Sequence, residues 1–349
     1  MGVIMNVSQY VRDIIQDSII KVLVSNNKSN VVMDVDEVIE TKRICFVSSL
    51  FADDISKCDI PGKFQRDPRF DYILLTNLDL FGSGSGNSNS LVSSWDIIKI
   101  DFIEKFRFPK GARGYNTIRS RYPKFMLWKI FRDYKYLFKN YRIDQYDFII
   151  YCDAFLSPCI DTDWLRLCSV LRSKKVVNNL EISSGKKVIR ILQDLHLEKE
   201  IRDGGIKDEC MLIVRAKKDS LENVLVTLKL FRDILGKNSH WMRQGRYCLN
   251  TCFIYDFKCA DTLAHLQSFW NFYNLNNRKG MVINMTYRDQ PIWNFWLIKN
   301  KRISMVYSDI ASLLVLYKDK EKEKDKYNNM LRGLFDISGK FCGHNMNYY

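Results

Sequence analysis

The sequence predicts an α/β protein: a central, mostly parallel sheet flanked by helices, followed by a more helical C-terminal part. Two observations lead there. Short apolar runs alternate with helical patterns over residues 43–220, the signature of strands joined by crossovers. Several of these runs close in small polar or acidic residues, and in an open α/β sheet ligands bind outside the carboxyl ends of the strands.

In chain order, residues 1–42 read as an N-terminal appendage with an amphipathic stretch (Val11, Ile14, Ile15, Ile19) and a polar loop. The first strand is 43–49, Arg-Ile-Cys-Phe-Val-Ser-Ser, closing in two hydroxyls. A second, 70–77, closes in Thr76 and Asn77. The Gly/Ser-rich stretch 82–90 has neither a Walker spacing nor G-x-G-x-x-G before a helix, and reads as a flexible insertion. A third strand is expected at 95–101 and a helix at about 116–138. Within the stretch 146–158, the five residues from Phe148 to Cys152 are long enough for a buried strand and too short for a helix, and Asp153 follows them. Further on come a helix opening at 161–165, an amphipathic helix from Ser220 to its stop at Gly236, a strand at 249–255, an aromatic helix at 260–273 and a helix with Pro291 in its first turn. Residues 43–310 form the domain and 311–349 a charged helical extension whose alternating signs at 318–326 suit a solvated face.

Composition bounds the class. Hydrophobic residues make up 46% and charged residues 27%, as in globular proteins, and no apolar run reaches the length of a membrane-spanning helix. The start lacks the basic and apolar regions of a secretory signal. Ten scattered cysteines without metal-ligand spacing suggest reduced thiols and a cytoplasmic location. The net charge of +14 is concentrated: residues 107–142 hold eleven Lys/Arg and one acid, Asp133. Such an excess suits nucleic acid, the wall of a diphosphate pocket, or an acidic glycan or membrane surface. Arg121, Lys124 and Trp128 recur at helical spacing and share a face. The interleaved Tyr122 and Phe125 suit core packing better than base stacking. A lone Asp153 at a strand end suits a metal ion or a sugar hydroxyl, and equally a turn or helix cap.

Four blocks resemble a known family. They are strand 43–49; Arg121-Tyr122-Pro123-Lys124-Phe125 leading into the strand that ends at Asp153; the region of His196; and residues 250–294, which contain Arg288-Asp289-Gln290. This order is similar to the glycosyltransferase-like domain first catalogued as domain of unknown function 616, found in plant mucilage and pollen-wall proteins and in bacterial and viral sugar-transfer gene sets. The chain departs from that pattern at Ala154, where Gly is usual, at Trp128, near a usual His, and at Glu198, where a base is usual. The Ile/Asn/Lys-rich composition is in the style of large DNA viruses that build their own glycans, which would place the protein in a host cytoplasm.

The resemblance implies a GT-A-like (Rossmann-like) fold and transfer of a sugar from a UDP- or GDP-sugar to a glycan or glycoprotein acceptor. Ser48, Ser49, Thr76 and Asn77 would then face the base and ribose, and Arg121 and Lys124 the leaving diphosphate. Asp153 would bind ribose or a divalent cation, Mn²⁺ or Mg²⁺, with His196 or Asp289 as a further ligand; the alternative is no metal, with the basic segment carrying the charge. Asp289 would take the acceptor's proton, unless it caps the helix before Pro291. Gln290 and Asn294, one turn apart, would bind acceptor hydroxyls. No nucleic acid or transmembrane segment is expected; peripheral membrane contact stays open. Two other readings compete: a nucleic-acid-binding protein using residues 107–142, and an inactive glycosyltransferase-like scaffold, suggested by the single Asp.

Overall fold

The computed structural model describes residues 43–58, 61, 64–80, 94–154, 156–158, 160, 164–172, 188–193, 199–243, 248–274, 284–300, 304–305 and 335–336. The appendage, the 82–90 insertion, the 318–326 charge run and His196 lie outside them. The strands are β1 (Arg43–Leu50), β2 (Asp71–Thr76), β3 (Asp96–Lys99), β4 (Tyr146–Cys152), the two-residue β5 (Ser157–Pro158), β6 (Val188–Ile189) and β7 (Ile191–Leu192), β8 (Cys252–Asp256), and the short β9 (Ser304–Met305) and β10 (Phe335–Asp336). The helices are α1 (Tyr115–Asp133), α2 (Trp164–Ser169), α3 (Lys199–Arg215), α4 (Leu221–Leu235), α5 (Ala260–Tyr273) and α6 (Asp289–Lys299).

The main sheet has the order β3-β2-β1-β4-β8-β7. The first four strands pair in parallel, and β8 runs antiparallel between β4 and β7. This is the α/β class expected from the sequence, with a mostly parallel sheet flanked by helices. The chain steps outward from β1 to β3, then returns through α1 to place β4 on the other side of β1. The order reverses between β1 and β4, and at such a switch point an open α/β sheet leaves a crevice at its carboxyl edge. Because β8 is antiparallel, its start lies beside the end of β4, with Cys152 opposite Cys252.

Side chains alternate faces along each strand. Cys45, Val47, Ile73, Leu75, Ile149, Tyr151, Phe253 and Tyr255 join one core with α1 and the later helices. Ile44, Phe46, Tyr72, Leu74, Phe148, Ile150, Cys152 and Ile254 join the other, under Trp95, Trp164 and Leu171. Burial on both faces explains why β1 and β4 read as unbroken apolar runs.

Element boundaries follow local chemistry. Ser220 caps α4 by accepting from the Asn223 amide, and Gly236 ends that helix. Gly114, at φ +90°, starts α1, and a Cβ there would come within 2.6 Å of the Tyr287 ring, so only glycine fits. Pro123 lies inside α1, which kinks at Met126 (φ −123°, ψ 24°). Two expectations are corrected. β8 starts at Cys252 and not at Leu249, because the polar Asn250 and Thr251 are drawn into contacts outside the sheet. In the extension expected to be helical, Phe335 and Asp336 form β10, antiparallel to β5.

Candidate functional site

A cleft opens at the carboxyl end of β4, lined by Arg121 and Lys124 of α1, Asp153, Glu209, Leu212 and Ile213 of α3, Ala216, Lys218, Asn250, Thr251 and Arg288 to Gln290. Arg121 and Lys124 stand three residues apart on one face of α1, before its kink, and so point together toward the strand ends. Asp153 is fixed by its own backbone: its amide donates to Thr251 O at 2.8 Å, and its carbonyl accepts from Leu156 N at 2.9 Å.

Four charged side chains converge there. Arg121 donates from Nε to Asp289 Oδ1 at 3.0 Å and from Nη1 to Asp153 Oδ1 at 3.3 Å. Lys124 Nζ lies 3.2 Å from Asp289 Oδ2 and 3.4 Å from Asp153 Oδ1, and donates to the carbonyl of Asn250. The ammonium is fully buried and also sits over the Tyr151 and Phe253 rings, at 5.0 and 5.7 Å. Asn250 Nδ2 donates to Asp289 Oδ2 at 3.0 Å, while its Oδ1 accepts from Gln193 Nε2. Trp293 Nε1 in turn donates to Gln193 Oε1 at 2.9 Å. The quartet therefore rests on a second layer of buried amides and an indole.

Burial by itself would raise the pKa of Asp289. The Lys124 ammonium, then the Arg121 guanidinium and the Asn250 amide, outweigh it and hold the carboxyl well below the usual carboxylate range. Asp289 is the first residue of α6, where the helix dipole adds to that stabilisation. Neither sequence-level role fits it. The preceding Arg288 occupies the cap position, and a carboxylate held ionised by two cations and an amide is a poor proton acceptor.

The other expected site residues divide sharply. Gln290 lines the cleft, donates to Glu209 Oε1 at 3.1 Å and accepts from the Asn250 amide at 3.3 Å. Asn294 does not reach the cleft: it is buried, accepting from Cys248 N at 2.7 Å and donating to Cys248 O at 2.9 Å. Ser49 Oγ bonds Ser120 O at 2.6 Å and Tyr151 OH at 2.8 Å, tying α1 to the sheet. Ser48 belongs to the opposite face by alternation, and Thr76 Oγ1 accepts from the Leu78 amide. Asn77 clamps Ala52, accepting from its amide at 3.1 Å and donating to its carbonyl at 2.7 Å. These four line no part of the cleft. Lys124 is also corrected: it donates to Asn250 O and Asp289 Oδ2 and pairs with Asp153 Oδ1 at 3.4 Å, so it anchors the carboxylates.

The sequence reading missed Asn250, Thr251, Glu209, Lys218 and Arg288. Two polar residues heading an apolar strand were a usable signal for Asn250 and Thr251. Arg288 stands within the Arg-Asp-Gln triplet itself, and Glu209 and Lys218 carry no local signal. Thr251 Oγ1 and Arg288 Nε are buried without hydrogen-bond partners among the described residues.

A resident metal does not fit this donor set. Both Asp289 oxygens and Asp153 Oδ1 already face cations, and among the described residues no three His, Cys, Asp or Glu side chains group as metal ligands. No helix among the described residues is long and apolar enough to cross a membrane.

No family model matches the chain, and no curated protein matches it. Among solved structures it is similar to the mannosyltransferase Ktr4p from S. cerevisiae, at 11% identity over 85% of this chain and 78% of that chain, with a TM-score of 0.27.

Proposed function

We propose that this protein is a glycosyltransferase that takes a nucleoside-diphosphate sugar and transfers the sugar to a glycan or glycoprotein acceptor. The observation that carries this reading is the charged cleft at the switch point of the sheet, where Asp153 follows β4 and the cations of α1 meet it. The sequence resemblance points the same way. Asp153, Thr251 and Gln290 offer acceptor and donor groups of the kind that hold sugar hydroxyls. Arg288 offers a guanidinium for the charge that grows on a departing diphosphate.

A panel of UDP- and GDP-sugars tests the reading by thermal shift and by release of free sugar. Binding of at least one donor is expected, and binding of none, with or without Mn²⁺, overturns it. Asp153→Ala is expected to abolish turnover and keep the fold, since Lys124 and Arg121 retain Asp289. An active Asp153→Ala enzyme would remove that carboxylate from the site.

The nucleic-acid reading is the less favoured one. Arg107, Arg119 and Lys124 are buried, Arg121 faces two carboxylates, and Tyr122 and Phe125 pack in the core. The remaining cations are spread along the surface: Lys110 and Arg113 before α1, Lys129 and Arg132 on it, and Lys135, Lys139 and Arg142 in the turns after it.

A further inference from the structure

We propose that Lys124 Nζ is the resident cation of this cleft, standing where a divalent ion would stand, and that a nucleoside diphosphate binds without metal, against Arg288 and Thr251. The inference rests on the glycosyltransferase reading for the identity of its ligand, but not for its cation.

A divalent ion at such a site needs carboxylate oxygens turned toward one point, at about 2.0–2.6 Å for hard cations. Here that point is taken. Asp153 Oδ1 and Asp289 Oδ2 converge on one ammonium, at 3.4 and 3.2 Å, and the carbonyl of Asn250 completes its donors. Tyr151 and Phe253 close the remaining sides with their ring faces. Arg121 bridges the same two carboxylates from its own side, at 3.3 and 3.0 Å. A second positive ion on these oxygens would sit within a few ångströms of two fixed cations, in a region with little water to screen them.

The cleft is complementary to an anion without added metal. Its lining carries Arg121, Lys124, Lys218 and Arg288 against Asp153, Glu209 and Asp289. The quartet is internally balanced, and beyond it Lys218 and Arg288 stand with Glu209, which leaves one positive charge over. Arg288 has no carboxylate partner among the described residues; its guanidinium rests over the Tyr287 ring at 5.5 Å, and its Nε has no acceptor. Thr251 is 5% exposed, lines the cleft, and has a hydroxyl without a hydrogen-bond partner among the described residues. A buried donor without a partner is costly, and a phosphate oxygen satisfies both groups at once.

The experiment has three arms, all on the full chain. Mn²⁺ alone is titrated into the wild type and followed by the electron-spin-resonance signal of the free ion. No retention is expected, and stoichiometric binding overturns the cation assignment whatever the function. Lys124→Ala leaves two carboxylates without their ammonium and is expected to gain Mn²⁺ binding; a folded variant that gains none overturns the substitution of lysine for metal. Next, UDP and GDP affinities are measured by calorimetry in EDTA and in Mn²⁺. Equal values are expected, and a tightening by Mn²⁺ of about tenfold or more overturns metal-free binding. If neither nucleotide binds in either buffer, the glycosyltransferase reading falls, while the Mn²⁺ titration still decides the cation. Finally, Arg288→Gln is expected to weaken nucleotide binding in EDTA about tenfold with the fold retained. Unchanged affinity removes Arg288 from the site.

Discussion

At the end of β2, Asn77 reaches one strand over and bonds the amide and carbonyl of Ala52 with its own two polar groups. At the end of β4, on the same edge of the sheet, Asp153 is met by Arg121 and Lys124 from α1 and shares both with Asp289 at the start of α6. The difference is chemical. An amide carries a donor and an acceptor, so it can close on a neighbouring backbone and leave nothing over. A carboxylate only accepts and must recruit cations, and buried ones come from distant elements. The first arrangement seals the edge. The second holds it open and charged, and so defines the cleft.

The strongest way to break this contrast is Lys124→Ala. It leaves Asp153 and Asp289 with Arg121 alone, and unpairing a buried charge costs about 3–5 kcal/mol. Urea unfolding measures it. A loss under about 1 kcal/mol would mean that the quartet behaves like a surface pair.

Acid separates the quartet from the core beneath it. Asp289 is depressed, so its contribution is present above the ordinary carboxylate value and is lost only as pH falls below it. His265 packs against Trp293 at 5.6 Å, and burial pushes its pKa down from 6.5 to about 4. A depressed imidazole contributes stability that is complete above pH 6.5 and lost as pH falls toward 4. The loss amounts to about 3 kcal/mol over that window. Unfolding free energies measured across it should fall for the wild type and stay flat for His265→Phe. A wild-type fall confined to lower pH would assign the loss to the quartet instead.

The smallest effect belongs to the sealed edge. Asn77→Ala removes two hydrogen bonds and should cost about 1–2 kcal/mol in urea unfolding, with nucleotide affinity unchanged. An affinity change there would make β2 part of the binding edge after all.

The sheet was legible in the sequence because its evidence is local. Apolar runs of strand length are written in consecutive residues, and the run Phe148 to Cys152 is β4 short of its first two residues, Tyr146 and Asp147. The helix 260–273 was read at its true ends, and α1 differs chiefly in stopping at Asp133 before a short 3₁₀ turn. Pairing of Arg121 with Lys124 followed from helical spacing, and Asp153 from its place after a strand. Partnership is what the sequence did not carry. Ser49, Asn77 and Asn294 are as polar as Gln290, yet their bonds go to the protein itself, over separations of up to 102 residues. Asp289 looked like a base or a cap because its charge partners, Lys124 and Arg121, lie more than 160 residues away. By itself the sequence determined which segments become strands and helices, since period and propensity are properties of neighbours in the chain. Only the tertiary structure decided which polar ends stay open, because that depends on whether a side chain can meet its complement within hydrogen-bond distance, and that distance exists only once the sheet has formed.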